Sequence, residues 1–521
     1  MRAWLASQQN EVGGEMKTMF QRALPIWLLI GVLVAGPLLR SSDASAVADE
    51  YDIVILNGRV IDPESKLDAV RNIGITGGKI QAVASRTMRG RTTILASGLV
   101  VSPGSIDLHS HGQDEENYRF KAMDGVTTAL ELEVGVADVD RWYAEREGKA
   151  LVNYGASVGH IPARMAVMRD PGNFLPSGDA AHREASNEEI VQISRRIEQG
   201  LKRGALAVGF GINYTEAASR WEILEMFRVA ARLGATCFVH MRYAGMKEPA
   251  SCVSALEEVL AAAALTGASL HVVHVTSIGL SATPRLLQMI AEARSRGLDV
   301  TTECYPYTAT QTRIETAIYD EGWQEKLGMD YKDLQWVDTG ERLTAMSFAR
   351  YRKTGGMVIG HSIPEEIART AVSNPIVMIA SDGHIEKGKG HPRGAGTFAR
   401  VLGRYVREQK ALSLVDALAK MTVMPARRLE RIDPDMKNKG RIRVGADADL
   451  TIFDPDRVID KATFEGPPRY SEGIRYVLVN GVSVVKDGQL QSGVEPGRPV
   501  RGPSQKSGVR RQKSEVRSLA R

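Results

Sequence analysis

Three cysteines in 521 residues, Cys237, Cys252 and Cys304, are too few for a disulfide framework and lack the paired spacing of a structural zinc site. They read as small buried hydrophobes. Aromatic residues are sparse at 6%, and the longest apolar run, from Ala23 to Leu39, spans 17 residues, the short limit for a membrane span. With 43% hydrophobic and 25% charged residues, this excludes a multi-span membrane protein, a disordered chain and a collagen. A one-sided charge is also missing. The formal net charge is +5, and residues Arg501 to Arg521, with seven basic and one acidic side chain, supply +6, which leaves −1 for the other 500 residues. No basic domain remains as a nucleic-acid footprint, and the basic segment reads as a solvated, disordered tail over 491–521.

What is present begins with Lys17 and Arg22 ahead of the apolar run, followed by Ser-Ser-Asp-Ala-Ser-Ala ending at Ala46. This is the layout of a signal peptide over 1–46, with translation starting at Met16 or Met19, and it predicts export to a periplasmic or extracellular compartment. Pro25 and Pro37 shorten the helical part of the run, so cleavage after Ala46 is favoured over an uncleaved membrane anchor.

Three β-patterned stretches follow: Tyr51 to Val60 with Asn57-Gly58, Asn72 to Ala84 with Gly77-Gly78, and Thr92 to Val101. Turn dipeptides between β-branched runs predict strands and hairpins. The same texture returns in Gly440 to Asp454 and in Ile474 to Gly488 with Asn480-Gly481. One small β domain built from residues 47–102 and 432–490 accounts for both. Between them, over 103–431, short apolar runs alternate with helix-length segments at Asn187 to Arg203, Ala217 to Leu233, Ser251 to Thr266 and Thr283 to Arg296. That alternation is α/β, and eight candidate strands predict a (β/α)₈ TIM-type barrel. They are Ser105 to Ser110, Thr127 to Val134, Gly155 to His160, Ala205 to Ile212, Thr236 to Met241, Leu270 to Thr276, Asp299 to Tyr305 and Ile376 to Ser381. An open doubly wound sheet is the alternative, but its glycine-rich phosphate turn is replaced after the first strand by His-Ser-His. The interval 311–356 breaks the rhythm and reads as an insertion before the eighth strand, placed to act as a lid.

His109 and His111 share one side of the first strand end by period-2 alternation. In such a barrel the active site lies at the C-terminal ends of the strands, where His240 ends the fifth, His274 nearly ends the sixth and Asp382 follows the eighth. Four imidazoles and a carboxylate at one mouth point to a metal, Zn²⁺ best, with Mn²⁺, Co²⁺ or Fe²⁺ also accepting these donors. One catalytic zinc takes three protein ligands and a water, so the larger set permits two ions. Glu131 and Glu133 lie on one face of the apolar second strand, where uncompensated charge is costly; Glu133 is the expected bridge, Glu131 a supporting group or the alternative ligand. A metal polarises a carbonyl and acidifies water, and Asp382 is placed to take that water's proton. His160 and His361 are alternatives for stabilising an oxyanion or leaving group, with a structural role favoured for each; His384 and His391 fall in the loop after Asp382, and His182 and His271 read as surface or core.

With these residues assembled, the sequence resembles the amidohydrolase superfamily and, within it, the D-aminoacylase (N-acyl-D-amino-acid deacylase) family, over roughly residues 51–488. The carriers are the stretch from Pro103 to His111, Gly125-Val126-Thr127-Thr128, His240-Met241-Arg242, the His274 strand, Tyr305-Pro306-Tyr307-Thr308-Ala309, Ser381-Asp382-Gly383, His391-Pro392-Arg393 through Leu402, and the stretch from Gly445 to Leu450. The resemblance implies zinc-dependent hydrolysis of the linear amide of an N-acyl-D-amino acid, giving a carboxylate and a free D-amino acid. It also implies that Arg393 and Tyr305 hold the substrate carboxylate, which suits a guanidinium fork; a structural ion pair is the alternative for Arg393.

Three departures stand out. The family's metal-binding cysteine after the second strand is replaced by Glu131-Leu132-Glu133-Val134, its lysine two residues past the sixth-strand histidine is Thr276, and a serine after Tyr-Pro-Tyr is Gln311. The fourth strand lacks the lysine that carbamylated relatives use, which weighs against a cyclic amidase. That enzyme, a β-aspartyl-type dipeptidase and a non-catalytic ligand-binding barrel are the alternatives. The expected partner is a small N-acyl amino acid, with no nucleic acid and no membrane span after leader cleavage; oligomeric state is left open.

Overall fold

In the computed structural model, which describes residues 50–503, eight strands pair in parallel and in chain order. They are β1 (Ser105–Asp107), β2 (Val126–Val136), β3 (Asn153–Gly159), β4 (Ala207–Gly211), β5 (Thr236–His240), β6 (Ser269–Val272), β7 (Val300–Cys304) and β8 (Val377–Ile379). Each lies on one of the eight expected segments. Their residues are buried almost throughout, as parallel strands covered by helices must be. The last strand meets the first through Ser381 N to Asp107 Oδ1 (2.9 Å), Asp382 N to the His109 carbonyl (2.7 Å) and His111 N to the Gly383 carbonyl (3.0 Å), which completes a barrel. Buried Lys121 braces that seam, 2.9 Å from Asp107 and 2.6 Å from Ser381 Oγ.

The outer helices start where the sequence supplies caps. Ser186 and Glu189 form a capping box ahead of Asn187–Lys202, and Ser219 and Ser251 cap Arg220–Arg232 and Cys252–Thr266. The expected helices over these segments, and over Thr283–Ser295, are present.

Strands from both ends of the described chain form one nine-stranded sheet, in which Val100–Pro103 pairs antiparallel with Leu450–Phe453. Gly77-Gly78 and Asn480-Gly481 make the expected hairpins. Asn57-Gly58 does not. It lies inside the unbroken strand Glu50–Asp62, where Asn57 (φ 60°) produces a register shift, because the positive φ that suits a tight turn also suits a bulge.

The insertion expected over 311–356 extends slightly further at both ends. Thr310–Arg313, Met357–Gly360 and Leu334–Trp336 form a three-stranded antiparallel sheet, with helices Trp323–Leu327 and Ala345–Thr354 packed around stacked Trp323 and Phe348. The tail also differs from expectation. The chain at 496–502 is seated on the start of β3, with Gly497 N bonded to the Ala150 carbonyl (2.9 Å), Val500 N to the Tyr154 carbonyl (2.7 Å) and the Tyr143 hydroxyl to the Val500 carbonyl (2.7 Å). Backbone polar groups there have partners, so order continues well past residue 491. The expected leader, 1–46, and residues 504–521 lie outside the described residues. Among the described residues no helix is long and apolar enough to cross a membrane.

The β domain is pinned to the barrel by buried Asp449. Its carboxylate accepts from Asn153 of β3 (2.9 Å), Lys439 (2.7 Å) and the Asn480 backbone N (2.6 Å). Asp449→Ala strands those donors, and the expected outcome is a loss of about 3–5 kcal/mol in unfolding free energy, read from the urea midpoint.

Candidate metal centre

Strand β2 creates the centre by leaving its regular course. Its pairing with β3 steps from Glu131↔Ala156 to Val136↔Val158, so three more residues pass on β2 than on β3, and the excess arches into the barrel with Gly135 at φ 71°. Glu131 fastens the arch, its Oε1 accepting from Val134 N (3.1 Å) and Gly135 N (3.2 Å). Space for it comes from β4, where a Cβ on Gly209 would collide with the Glu133 carbonyl oxygen. The arch carries the Glu133 carboxylate to the barrel axis, on the side where β4 offers no lysine.

Four donors meet there. His111 Nε2 stands 3.1 Å from Glu133 Oε2, 3.2 Å from His109 Nε2 and 3.2 Å from Asp382 Oδ1, and His109 Nε2 is 3.3 Å from Glu133 Oε2 and 3.4 Å from Asp382 Oδ1. A tetrahedron with metal–ligand bonds of about 2.0–2.1 Å has edges of roughly 3.3–3.4 Å, so these separations fit a bound zinc-sized ion. The other oxygen, Glu133 Oε1, faces His240 Nδ1 (2.7 Å) and His274 Nε2 (3.7 Å), a three-donor group with a vertex open to the cavity. Glu133 thus joins both groups.

The outer partners fix which imidazole nitrogen faces inward. Glu131 Oε2 takes His111 Nδ1 and Glu303 Oε1 takes His109 Nδ1, each at 2.7 Å, and a carboxylate accepts only, so both rings direct Nε2 at the centre. Glu303 is itself held by His271 (3.1 Å), and the Ser277 hydroxyl lies 2.9 Å from His274 Nδ1. The Asn213 amide, 3.4 Å from His240 Nε2, leaves Nδ1 to face Glu133. Burial opposes charge on His109, but Asp382, Glu133 and Glu303 outweigh it and raise its pKa to about 10. Burial would likewise lift the carboxylates, yet the histidines hold Glu133, and Arg393 with the histidines holds Asp382, well below the ordinary range. A divalent cation supplies the counter-charge this anionic cluster calls for. His274 (φ 29°) and Asp382 (φ 51°) adopt left-handed backbone, a strain that clusters at functional sites.

The centre forms the floor of a cavity of about 450 Å³ roofed by the insertion. Arg393 lines it, its Nη2 2.9 Å from Asp382 Oδ2 and its guanidinium 4.5 Å from the Tyr305 ring centroid. Arg393 Nε and Nη1, the Tyr305 hydroxyl and Gln311 Oε1 are buried without a hydrogen-bond partner among the described residues. They form a polar rim aimed at a ligand.

The structure gathers every sequence-derived site residue: His109, His111, Glu133, His240, His274, Asp382, Arg393 and Tyr305. Other candidates stand apart. His160 is paired with Glu222 (2.8 Å), His361 with Gln335 (2.9 Å), and His182 lies at the surface beside Asp320. His391 Nδ1 accepts from the Arg393 backbone and so seats that arginine, while His384 lines the cavity. Thr276 is buried in the helix Val275–Gly279 outside the cavity lining, whereas Gln311 lines it. Sequence reasoning missed Glu303, Asn213 and Ser277. For Glu303 a signal existed, a carboxylate two residues before Tyr305 on the same strand.

An amidohydrolase family model matches residues 165–485, more than half of the chain. The chain belongs to the amidohydrolase family. It is 29% identical to the N-acyl-D-glutamate deacylase of Alcaligenes xylosoxydans xylosoxydans over 87% of this chain and 97% of that protein, and 28% identical to the D-aminoacylase of the same organism over 86% and 97%. It also resembles the crystal structure of the Bordetella bronchiseptica N-acyl-D-glutamate deacylase complexed with zinc and a phosphonate mimic of the tetrahedral intermediate, with TM-score 0.75, 27% identity, and 87% of this chain and 100% of that chain covered. In this amidohydrolase the Glu131 and Glu303 carboxylates orient the two inward imidazoles. Glu131→Ala and Glu303→Ala are each expected to weaken metal binding about 10–100-fold in chelator competition, with far-UV circular dichroism unchanged.

Proposed function

We propose that this amidohydrolase cleaves the linear amide of N-acyl-D-amino acids, with one or two zinc ions at the Glu133-centred site, releasing a carboxylate and a free D-amino acid. The observation that carries the reading is the pair of unpartnered Arg393 N–H groups, buried in the same cavity as the donor cluster and next to Asp382. A substrate carboxylate satisfies those donors, and the Tyr305 hydroxyl with them. The D configuration is supported by the named activities of the relatives. The absence of lysine in β4 weighs against a cyclic amidase, and the cost of collecting these charged groups at one barrel mouth weighs against a non-catalytic barrel.

A bound zinc supplies Lewis-acid polarisation of the scissile carbonyl and lowers the pKa of water. The protein supplies the rest. Asp382, ionised through Arg393 and the histidines, accepts the proton of the attacking water on its carboxylate and returns it to the leaving nitrogen. Arg393 orients the substrate carboxylate while holding Asp382, so it acts on binding and on proton transfer together.

Release of amino acid from paired N-acetyl-D and N-acetyl-L amino acids tests the reading: chelator-sensitive turnover confined to the D series supports it, and no turnover by zinc-reconstituted protein overturns it. Asp382→Asn is expected to keep zinc and lose about 10²–10⁴-fold in kcat. Arg393→Ala is expected to raise KM and also lower kcat, because it removes the partner of Asp382. The leader pattern supports export, and mass spectrometry of the exported protein is expected to find an N-terminus at Val47.

A further inference from the structure

The charges lining the cavity are few and uneven. Four carboxylates, Asp114, Glu133, Asp382 and Glu386, line it against two cations among the described residues, Arg313 and Arg393. Neither cation is idle. Arg393 is bound to Asp382, with its remaining N–H groups allotted to the substrate carboxylate, and Arg313 is neutralised by its salt bridge to Glu315, which also accepts from Gly356 N. The rest of the wall is largely apolar. Ile278 and Leu280 come from the loop after β6, and Ile318, Leu327, Met329 and Met357 from the insertion.

We infer that the substrates of this site carry a single carboxylate and an uncharged, apolar side chain, and that an acidic side chain is rejected, in contrast to the glutamate named for the relatives. The inference rests on the deacylase reading and narrows it. A second substrate carboxylate would enter a cavity already rich in carboxylates and lose its hydration without gaining a counter-ion, which costs several kcal/mol. An apolar side chain loses nothing polar and buries surface against the insertion. Glu315 is then a specificity-determining residue, because it keeps Arg313 occupied.

Competition between N-acetyl-D-leucine and N-acetyl-D-glutamate at the zinc-loaded enzyme tests this. The expected kcat/KM ratio favours leucine by ~100-fold or more. Glu315→Gln, which keeps the hydrogen bond to Gly356 and frees the Arg313 charge, is expected to move the ratio towards glutamate by about tenfold or more. Met329→Lys, which adds a cation to the roof, is expected to move it the same way, so the test survives a folding failure of either variant. Equal or preferred cleavage of the glutamate derivative overturns this inference and leaves the deacylase reading standing. Absence of cleavage in both D substrates overturns the reading and the inference together.

Discussion

Everything at the barrel mouth depends on one carboxylate used twice. Glu131 holds the arch of β2 with one oxygen and His111 with the other, so the same side chain that shapes the backbone also aims a donor. Without the arch, Glu133 would stay in the strand wall. Without Gly209 opposite, the arch would have no room. A bridging carboxylate is therefore delivered from β2 by a local distortion rather than by a long side chain reaching in from β4.

The centre is expensive to build. Three carboxylates and four imidazoles lie within a few ångströms of one another and largely out of water, and two of the residues sit in left-handed backbone. The surroundings absorb this cost through directed bonds. Glu303 and His271 behind His109, Ser277 behind His274, and Lys121 with Asp107 behind the Ser381 turn all brace groups that would otherwise repel or rotate. The strand ends fix where the donors are, and these second partners fix which atom each presents.

The fold was largely legible because its signals are periodic. Eight apolar runs separated by capped helices leave little freedom in how they pair, and histidines at equivalent strand ends gave away the mouth of the barrel. The choice between Glu131 and Glu133 rested on proximity to the strand end, and the arch, which depends on the empty side of Gly209 a long way down the chain, carried no local pattern. Glu303 was readable by alternation, but its partner His271 gains meaning only across two strands. Asn57-Gly58 misled for a definite reason: the dipeptide encodes a positive φ, and whether that becomes a turn or a bulge is set by the neighbouring strand. At the C-terminal end, composition described the basic charge correctly and missed that the segment's backbone completes the edge of β3.

The split sheet has a consequence for how the molecule is made. Val101 pairs with Ile452, about 350 residues later, so the strand that feeds the barrel keeps an open hydrogen-bonding edge until the last part of the chain has emerged. During synthesis the early strands are a template waiting for its complement, and any other extended segment is a competitor for that edge. Such long-range pairing makes folding slow and places its decisive step late. Completion of the polypeptide, rather than appearance of the histidines, is then the event that commits the chain to its native topology.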